Sequence, residues 1–251
     1  MSALEFLSTI FVGYSEATKP ARRPHVTLTF AQSIDAKIAG KNGTQLILSG
    51  QESMVMTHWF VMRTMHDAIL IGIGTALNDD PQLNARHLPT RSPDPITNGH
   101  NNSYHLPRPV ILDTQLRLSP TCKLVSNYKA GGGRRPWVVC AKEDQQGWRD
   151  RRDALHEAGV TILEVDITGK LSIPTVLHKL DELGIKSLMV EGGSQVIASF
   201  FTADSSNERV IDTVIATIAP VFVGNDGVDY EVNFQEVRTQ VQSHDSLKYC
   251  F

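Results

Sequence analysis

The stretch DAILIGIGTALNDDPQLNAR, residues 67–86, decides the fold class of this chain. Its apolar run, residues 68–71, predicts a buried strand, and the strand leads into Gly72-Ile-Gly74 as it would in a dinucleotide-binding turn. The third glycine of a G-x-G-x-x-G fingerprint would fall at residue 77, which is leucine, and Asp79-Asp80-Pro81 follows where a helix would continue. The stretch is therefore either a broken Rossmann turn or a different way of holding a phosphate.

Composition narrows the class of protein. A chain of 251 residues with 41% hydrophobic content can bury a substantial core. A formal net charge of −3 without a long basic run argues against nucleic-acid binding, which depends on many phosphate contacts. Three scattered cysteines disfavour a disulfide framework and fit a reducing compartment. The N-terminus does not resemble a signal peptide, and no stretch approaches the roughly 18–20 apolar residues of a membrane span, so we expect a soluble, cytoplasmic protein.

Strands and helices alternate along the chain, which predicts an α/β fold with a largely parallel sheet. The predicted strands are residues 26–31, 45–48, 68–71, 109–113, 137–140, 160–165, 187–190 and 214–218. The predicted helices are residues 51–65, 146–158, 173–183 and 195–201. We interpret residues 1–251 as a single domain, with an N-terminal extension at 1–23 and a surface loop rich in proline, serine and asparagine at 88–107.

Two glycine turns carry the candidate chemistry. Backbone N–H groups in such a turn can reach a phosphate, and Gly72 and Gly74 allow a close approach beside the hydroxyl of Thr75. A second turn, Val190-Glu-Gly-Gly-Ser194, also follows an apolar strand and precedes a helix-like segment. Ligands of α/β sheets bind beyond the carboxyl ends of the strands, so the two turns could close on one pyrophosphate from two sides. A lone G-x-G pair is equally compatible with a purely steric role at a strand end.

Other reaction classes lack their motifs. The sequence has no G-x-S-x-G elbow, no H-E-x-x-H and no Walker A loop, which argues against an α/β-hydrolase, a zinc protease and a P-loop enzyme. The nine histidines are scattered. Adjacent carboxylates such as Asp79 and Asp80 more often serve as turn and cap residues than as metal ligands. We therefore predict no metal site.

Several ordered motifs resemble one enzyme family. Residues 31–39, AQSIDAKIA, are similar to the A-x-S-L-D-G-[K/R]-I-A opening of the riboflavin-biosynthesis reductases. These are the stand-alone fungal and archaeal enzymes and the C-terminal half of bacterial deaminase-reductases. The resemblance continues in order through Met62-Arg63 and residues 67–84, 108–114, 190–193, 218–220 and 223–224. It spans roughly residues 24–224 and implies a dihydrofolate-reductase-like fold, with a mostly parallel sheet flanked by helices.

The resemblance also implies an activity, a cofactor and a set of site residues. It implies reduction, by NADPH with NADH as a possible substitute, of the ribosylamino side chain of 2,5-diamino-6-ribosylamino-4(3H)-pyrimidinone 5′-phosphate to the ribitylamino form. The cofactor residues it implies are Ala31, Gly72, Gly74, Thr75, Asp79, Thr114, Glu191, Gly192, Gly193, Ser194 and Gln195. The substrate residues are Thr44, Arg63, Leu83, Arg86 and Glu191. Arginine offers a fork suited to the 5′-phosphate, and we expect Asp79 and Glu191 to position ligands rather than act as indispensable acids.

The chain departs from the family pattern in places, and other functions remain open. Ile34-Asp35-Ala36 replaces the usual Leu-Asp-Gly, and Leu46 stands where bacterial relatives often carry tryptophan. No H-x-E with P-C-x-x-C is present, which excludes zinc deamination. The alternatives are a reductase of the same fold acting on a pterin or another compound, and a non-catalytic protein that binds a nucleotide or a partner chain. The family forms homodimers, and the apolar residues 214–223 lead us to expect a dimer contact there.

Overall fold

A seven-stranded sheet organises the molecule. A computed structural model of the chain describes residues 22–48, 65–84, 105–166, 171–204 and 209–230. The strands are β1 (His25–Ser33), β2 (Ala68–Gly72), β3 (Arg108–Leu112), β4 (Trp137–Ala141), β5 (Thr161–Val165), β6 (Ser187–Gly192) and β7 (Thr213–Ala219). The helices are α1 (Ile73–Asp79), α2 (Lys123–Lys129), α3 (Gln146–Glu157), α4 (Ile173–Glu182) and α5 (Ser194–Asp204), and Lys41–Gly43 forms a 3-10 turn.

The order of the strands places all their carboxyl ends at one edge. That order is β5-β4-β3-β2-β6-β1-β7, and every neighbouring pair is parallel. The predicted α/β architecture with a largely parallel sheet is confirmed. Because β2 and β6 are neighbours, the two glycine turns that follow them emerge side by side at the carboxyl edge.

The central strand β2 explains why its sequence is a continuous apolar run. Ile69 and Ile71 pack on one face, in the core cluster that contains residues of α1, α2 and α3. Ala68 and Leu70 pack on the other face, in the cluster that contains residues of α4 and α5. All four are at most 1% exposed, since helices cover both faces of the sheet. Burying each large side chain of this kind contributes about 1.5–3 kcal/mol.

Two carboxylates fix strand positions at the opposite, amino edge. Asp67 Oδ2 accepts hydrogen bonds from the backbone N–H groups of Lys186 and Ser187, at 2.8 and 2.9 Å. This joins the start of β2 to the start of β6. Asp212 pairs with Arg23 at 2.6 Å and accepts from the N–H of Val26 at 2.8 Å, which joins β7 to β1. The strands that carry the glycine turns are therefore held in register from the far edge.

Most predicted elements are confirmed, with ends shifted by up to three residues. The strand predicted at 45–48 is wrong: those residues have no regular structure, and Ile47 is 94% exposed. A strand needs a hydrogen-bonding neighbour, and here the chain closes on itself, with Gly40 N–H donating to Thr44 O and Leu48 N–H to Leu46 O. The short helices α1 and α2 were not among the predicted helices. The helix predicted at 51–65 lies, apart from Met65, outside the described residues, as do residues 88–104 of the predicted loop.

Candidate functional site

The two glycine turns form one cradle at the carboxyl edge of β2 and β6. The Thr75 hydroxyl, in the turn after β2, donates a 3.3 Å hydrogen bond to the carbonyl oxygen of Gly192, at the end of β6. The turns are so close that a Cβ built on Gly193 would stand 2.7 Å from the Thr75 oxygen. The structure therefore brings together the residues that the sequence analysis assigned to a single pyrophosphate site.

The turn after β2 leaves room for a ligand. Gly72 ends the strand, and α1 begins at once with Ile73. Gly74 is exposed, and a Cβ placed there would meet no protein atom within 4 Å. Neighbouring side chains therefore do not require a glycine at this position, and its backbone is open to a group that approaches from solvent.

The turn after β6 contains a β-bulge. Leu70 pairs with Val190, but the next residue of β2, Ile71, pairs with Gly192. Glu191 is thus an extra residue without a counterpart on β2, and a bulge of this kind redirects a side chain near a functional edge. Gly192 and Gly193 have φ angles of +74° and +88°, a conformation that favours glycine. The half-buried Glu191 owes its placement to this local geometry.

The second turn fits a phosphorylated cofactor by its donor groups. Ser194 and Gln195 open α5, a helix of 11 residues, and the first N–H groups of a helix have no acceptor within it. The carbonyl of Gly193 accepts from the N–H groups of Val196 and Ile197, both at 3.0 Å, which ties the turn to the helix. Helix N-termini of this kind bind anions well. The residues present therefore suit the pyrophosphate of a nicotinamide dinucleotide.

The adjacent residues Asp79 and Asp80 have different environments. Asp79 ends α1, one helical turn after Thr75, so the two side chains lie on the same face. The side chain is exposed, but nearby protein partly desolvates its carboxyl, and this raises the pKa of Asp79. Asp80 instead adopts φ +40° and accepts a 2.9 Å hydrogen bond from the N–H of Lys123, the first residue of α2. The turn-and-cap role predicted for such a pair is confirmed for Asp80.

The other predicted site residues belong to segments outside the two glycine turns. Ala31 is half-buried in β1, the strand next to β6. Thr114 is exposed directly after β3, and its carbonyl accepts from the N–H of Ala141 at 3.3 Å. Thr44 is exposed and donates to Lys41 O at 3.1 Å. Leu83 is only 2% exposed and its side chain packs in the core, so only its backbone can reach a ligand. The predicted substrate residues Arg63 and Arg86 lie outside the described residues.

Asp35 stabilises the carboxyl edge in a way that the sequence analysis did not recognise. Its carboxylate accepts from Ser33 Oγ at 2.6 Å and from the N–H groups of Val223 and Gly224 at 3.1 and 2.7 Å. These hydrogen bonds, that from Ser33 first, lower the pKa of Asp35 to about 2. The carboxylate thereby joins the loop after β1 to the segment after β7. The signal in the sequence was the S-x-D spacing of the family motif.

Ala36, next to Asp35, stands where the family usually has glycine. It has a φ of +58°, in the left-handed region. The family's usual glycine adopts this conformation without steric cost, whereas alanine in its place costs roughly 1–2 kcal/mol. Ala36 therefore strains this loop slightly, while the carboxylate of the adjacent Asp35 accepts from the N–H groups of Val223 and Gly224.

Two further observations concern the described residues as a group. None of their His, Cys, Asp and Glu side chains form a set of three or more that could hold a metal ion. No helix among them has the length and apolar character needed to cross a membrane.

Comparisons with known proteins agree with this geometry. The model of the family described as the RibD C-terminal domain matches residues 24–249. The 2,5-diamino-6-ribosylamino-4(3H)-pyrimidinone 5′-phosphate reductase of Debaryomyces hansenii is 36% identical over 215 residues, covering 83% of this chain and 80% of that protein. The enzyme of the same name from Candida glabrata is 37% identical, covering 82% and 78%.

A solved structure extends the similarity to the fold. The riboflavin biosynthesis reductase Rib7 of Saccharomyces cerevisiae superposes with a TM-score of 0.66 at 26% identity, covering 90% of this chain and 88% of that one. The dihydrofolate-reductase-like fold implied by the sequence motifs is thereby confirmed. The match of the family model across most of the chain settles its membership. The chain belongs to the family of RibD C-terminal domains.

Proposed function

We propose that this protein is a nicotinamide-dependent reductase of riboflavin biosynthesis, acting on 2,5-diamino-6-ribosylamino-4(3H)-pyrimidinone 5′-phosphate. Relatives that are 36% and 37% identical carry the name of this reductase. The observation that carries the proposal is the joined cradle, in which Thr75 bonds Gly192 and two glycine turns face the same edge of the sheet. A reductase needs such a site to order a dinucleotide beside its substrate.

The order of the strands supports one placement of the cofactor. The backbone near Gly74, with Ser194 and Gln195 at the start of α5, would hold its pyrophosphate between the turns after β2 and β6. The family resemblance assigns to the same cofactor Ala31 on β1, the neighbour of β6, and Thr114 after β3, the neighbour of β2. The two halves of the cofactor would therefore extend from the cradle in opposite directions along the carboxyl edge. Asp79 accepts hydrogen bonds from a ribose hydroxyl or from the carboxamide.

The reaction requires one hydride and one proton. The ribose ring opens when the C1′–oxygen bond breaks; the oxygen takes up the proton that the nitrogen loses, and C1′ becomes part of a C=N bond. A nicotinamide held in the cradle would supply the hydride that C1′ accepts, and the nitrogen would regain a proton that reaches it through water. The protein's part is to align the two partners and to exclude competing geometries. Glu191, redirected by the bulge in β6, accepts from a hydroxyl or amine of the substrate.

The remaining assignments follow the family resemblance. Arg63 and Arg86 bind the 5′-phosphate of the substrate, because a guanidinium matches phosphate geometry in two hydrogen bonds. Thr44 contributes its hydroxyl, and Leu83 contributes a backbone group. We propose NADPH as the preferred cofactor, with NADH as a poorer substitute.

A second copy of the chain completes the proposed enzyme. On β7, the outermost strand of the described sheet, Val214 is 47% and Ile218 59% exposed, and Val221 and Phe222 just beyond it are 44% and 76% exposed. A contiguous apolar surface of this kind is typical of a protein contact. We propose that it packs against its counterpart in a homodimer.

Anaerobic incubation of the protein with NADPH and the ribosylamino pyrimidinone phosphate tests the activity. The absorbance of the reduced nicotinamide should fall in proportion to the ribitylamino product formed. A folded protein that consumes neither NADPH nor NADH with this substrate would refute the proposal. Oxidation of NADPH only with a pterin would favour the alternative substrate class.

A further inference from the structure

The helix α1 ends at a residue whose backbone conformation favours glycine. Asp80, its C-cap, has φ +40° and ψ +57°, in the left-handed region, and its N–H donates to the carbonyl of Ala76 at 3.2 Å. Helices commonly end in this conformation, and glycine is the usual residue there because a Cβ is disfavoured. An aspartate at this position therefore indicates that its side chain has a role that glycine could not fill.

The side chain of Asp80 ties the end of α1 to the beginning of α2. Its Oδ1 accepts a 2.9 Å hydrogen bond from the N–H of Lys123, the first residue of α2, and its Oδ2 lies 3.8 Å from Lys123 Nζ. Cys122, the N-cap of α2, makes no side-chain cap hydrogen bond within the described chain, so Asp80 supplies this cap from another segment. Leu124 and Val125, 2% and 1% exposed, hold α2 in the core. The end of α1 is therefore attached to a firmly packed element.

The segment after Asp80 is held at a second point. Leu83 also has a left-handed backbone, with φ +45°, and its side chain packs in the core at 2% exposure. Left-handed conformations are unfavourable for residues other than glycine, and they persist only where the surrounding contacts over-determine them. The connection that follows α1 is therefore fixed at both ends, by Asp80 on α2 and by Leu83 in the core.

This attachment bears on Asp79, the residue directly before Asp80. Asp79 is exposed and lies one helical turn after Thr75 on the same face of α1, where we propose that the cofactor binds. Helix ends fray, and α1 has only seven residues, so its last turn needs an external contact to stay in place. Because Asp80 provides that contact, the carboxylate of Asp79 keeps its position on the face of Thr75.

We infer that Asp80 is a positioning residue, which fixes the end of α1 against α2 so that the carboxylate of Asp79 is preordered for the cofactor. The inference rests on the proposed function, in which Asp79 accepts hydrogen bonds from the cofactor. Asp80 acts only through its neighbour. Preordering lowers the entropic cost of binding, so losing it should weaken cofactor binding and leave the chemical step nearly unchanged.

Two substitutions at Asp80 separate this role from a contribution to stability. Asp80→Gly removes the attachment but places the most favourable residue at a left-handed position, so these opposing effects should shift the midpoint of urea unfolding little. Calorimetry should nevertheless show NADPH binding weaker by about tenfold, as for the loss of a charged hydrogen bond. Asp80→Asn keeps an oxygen that can accept from the N–H of Lys123, and asparagine tolerates the left-handed backbone. Its NADPH affinity should therefore stay within about twofold of the wild type.

Ser172→Ala is the matched control, because it removes a helix cap that contributes nothing to the cradle. The Ser172 hydroxyl accepts from the N–H of Thr175 in the first turn of α4. The variant should lower the midpoint of urea unfolding and leave NADPH binding unchanged. If Ser172→Ala weakens NADPH binding as much as Asp80→Gly does, affinity follows stability and the inference is wrong.

The double variant Asp79→Asn/Asp80→Gly shows whether Asp80 acts through Asp79. If it does, the second substitution adds little, and the double variant should bind NADPH within about twofold of Asp79→Asn alone. Two losses that multiply to about a hundredfold would show that the residues act independently and would overturn the inference.

Steady-state kinetics separates this inference from the proposed function. With the pyrimidinone substrate, Asp80→Gly should raise the KM for NADPH by about tenfold, while kcat falls by less than about threefold. Turnover with an unchanged KM for NADPH in Asp80→Gly would overturn the inference and leave the function in place. Absence of any turnover, together with NADPH binding that depends on Asp80, would overturn the function and support the inference.

Discussion

The Thr75 hydroxyl and the Gly192 carbonyl oxygen lie 3.3 Å apart, although 117 positions separate the two residues in the chain. The contact joins the two glycine turns, so a side chain added at the contact in one turn disturbs the other. Gly193 shows this, because an added Cβ would collide with the Thr75 oxygen at 2.7 Å on a backbone that already has φ +88°. Gly74 has no neighbour within 4 Å of such a Cβ. Substitution at Gly74 therefore reports on the ligand and not on the protein's own packing.

Gly74→Ala should separate cofactor affinity from stability. Alanine is favoured over glycine inside a helix, so the free energy of unfolding should stay constant or rise by up to about 1 kcal/mol. In the proposed complex the methyl group would occupy space that the pyrophosphate needs, and overpacking of this kind costs about 1–3 kcal/mol of binding. Urea unfolding and calorimetry with NADPH measure the two quantities. Gly132→Ala, in the exposed turn before β4, is the matched control and should leave NADPH binding unchanged.

Asp79→Asn and Glu191→Gln should alter affinity more than turnover. Asp79 lies on the same face of α1 as Thr75, where we propose that the cofactor binds, so its amide variant should raise the KM for NADPH while kcat falls only modestly. Glu191→Gln should raise the KM for the pyrimidinone substrate and leave measurable kcat at saturation. Steady-state kinetics with each substrate varied in turn checks both expectations. Loss of turnover in Glu191→Gln with unchanged substrate affinity would identify Glu191 as the proton donor.

The stability of the carboxyl edge should depend on pH through Asp35. Its pKa is lowered from 3.8 to about 2, so its stabilising effect is fully present above 3.8 and is lost as the pH falls toward 2. Asp35→Asn should lower the free energy of unfolding at neutral pH. Below pH 4, the free energy of unfolding should fall less steeply in this variant than in the wild type. Urea unfolding across this range measures both. Asp226→Asn is the control, since the ion pair with Lys41 is exposed on both sides and contributes little. Parallel pH profiles for wild type and Asp35→Asn would contradict the assignment.

Ile218→Glu should dissociate the proposed homodimer. The side chain is 59% exposed on the outer strand β7, and a charge there would be buried without a partner if a second copy packs against it. Light scattering at micromolar concentration should show a dimer for the wild type and a monomer for the variant. A wild-type monomer would refute the dimer. A loss of stability in the variant without a change of mass would instead indicate that another part of the same chain covers Ile218.

The sequence predicted the parallel sheet because short apolar segments, read as strands, alternate with helices along the chain. β2 is the clearest case, with Ile69 and Leu70 on opposite faces and both without exposed surface. The same reasoning failed at residues 45–48, since a short apolar segment does not reveal whether a neighbouring strand exists. It also missed α2, where Leu124 and Val125 are the buried residues and seven positions are too few for a helical period to be recognised.

The site residues could be predicted by type, but the reasons for their placement could not. Glycine at 192 indicated a turn, yet the bulge that redirects Glu191 exists only as a register shift between β6 and β2. Similarly, Asp35 and Asp67 resemble ordinary loop carboxylates in the sequence. Their partners, Gly224 and Ser187, are 189 and 120 positions away. Local propensity carries no information about such distant hydrogen bonds.

The strand order also has a consequence for the time course of folding. β2 pairs with β6, and paired residues such as Ala68 and Leu188 are 120 positions apart in the chain, so two distant strands must meet before the cradle exists. Closing such long loops is slow, because the chain loses conformational entropy before the contacts that compensate for this loss have formed. A nucleotide therefore finds no binding site in the early ensemble. We expect NADPH to slow unfolding while leaving the refolding rate unchanged in stopped-flow mixing, and faster refolding with NADPH would show that the cradle forms before the rest of the sheet.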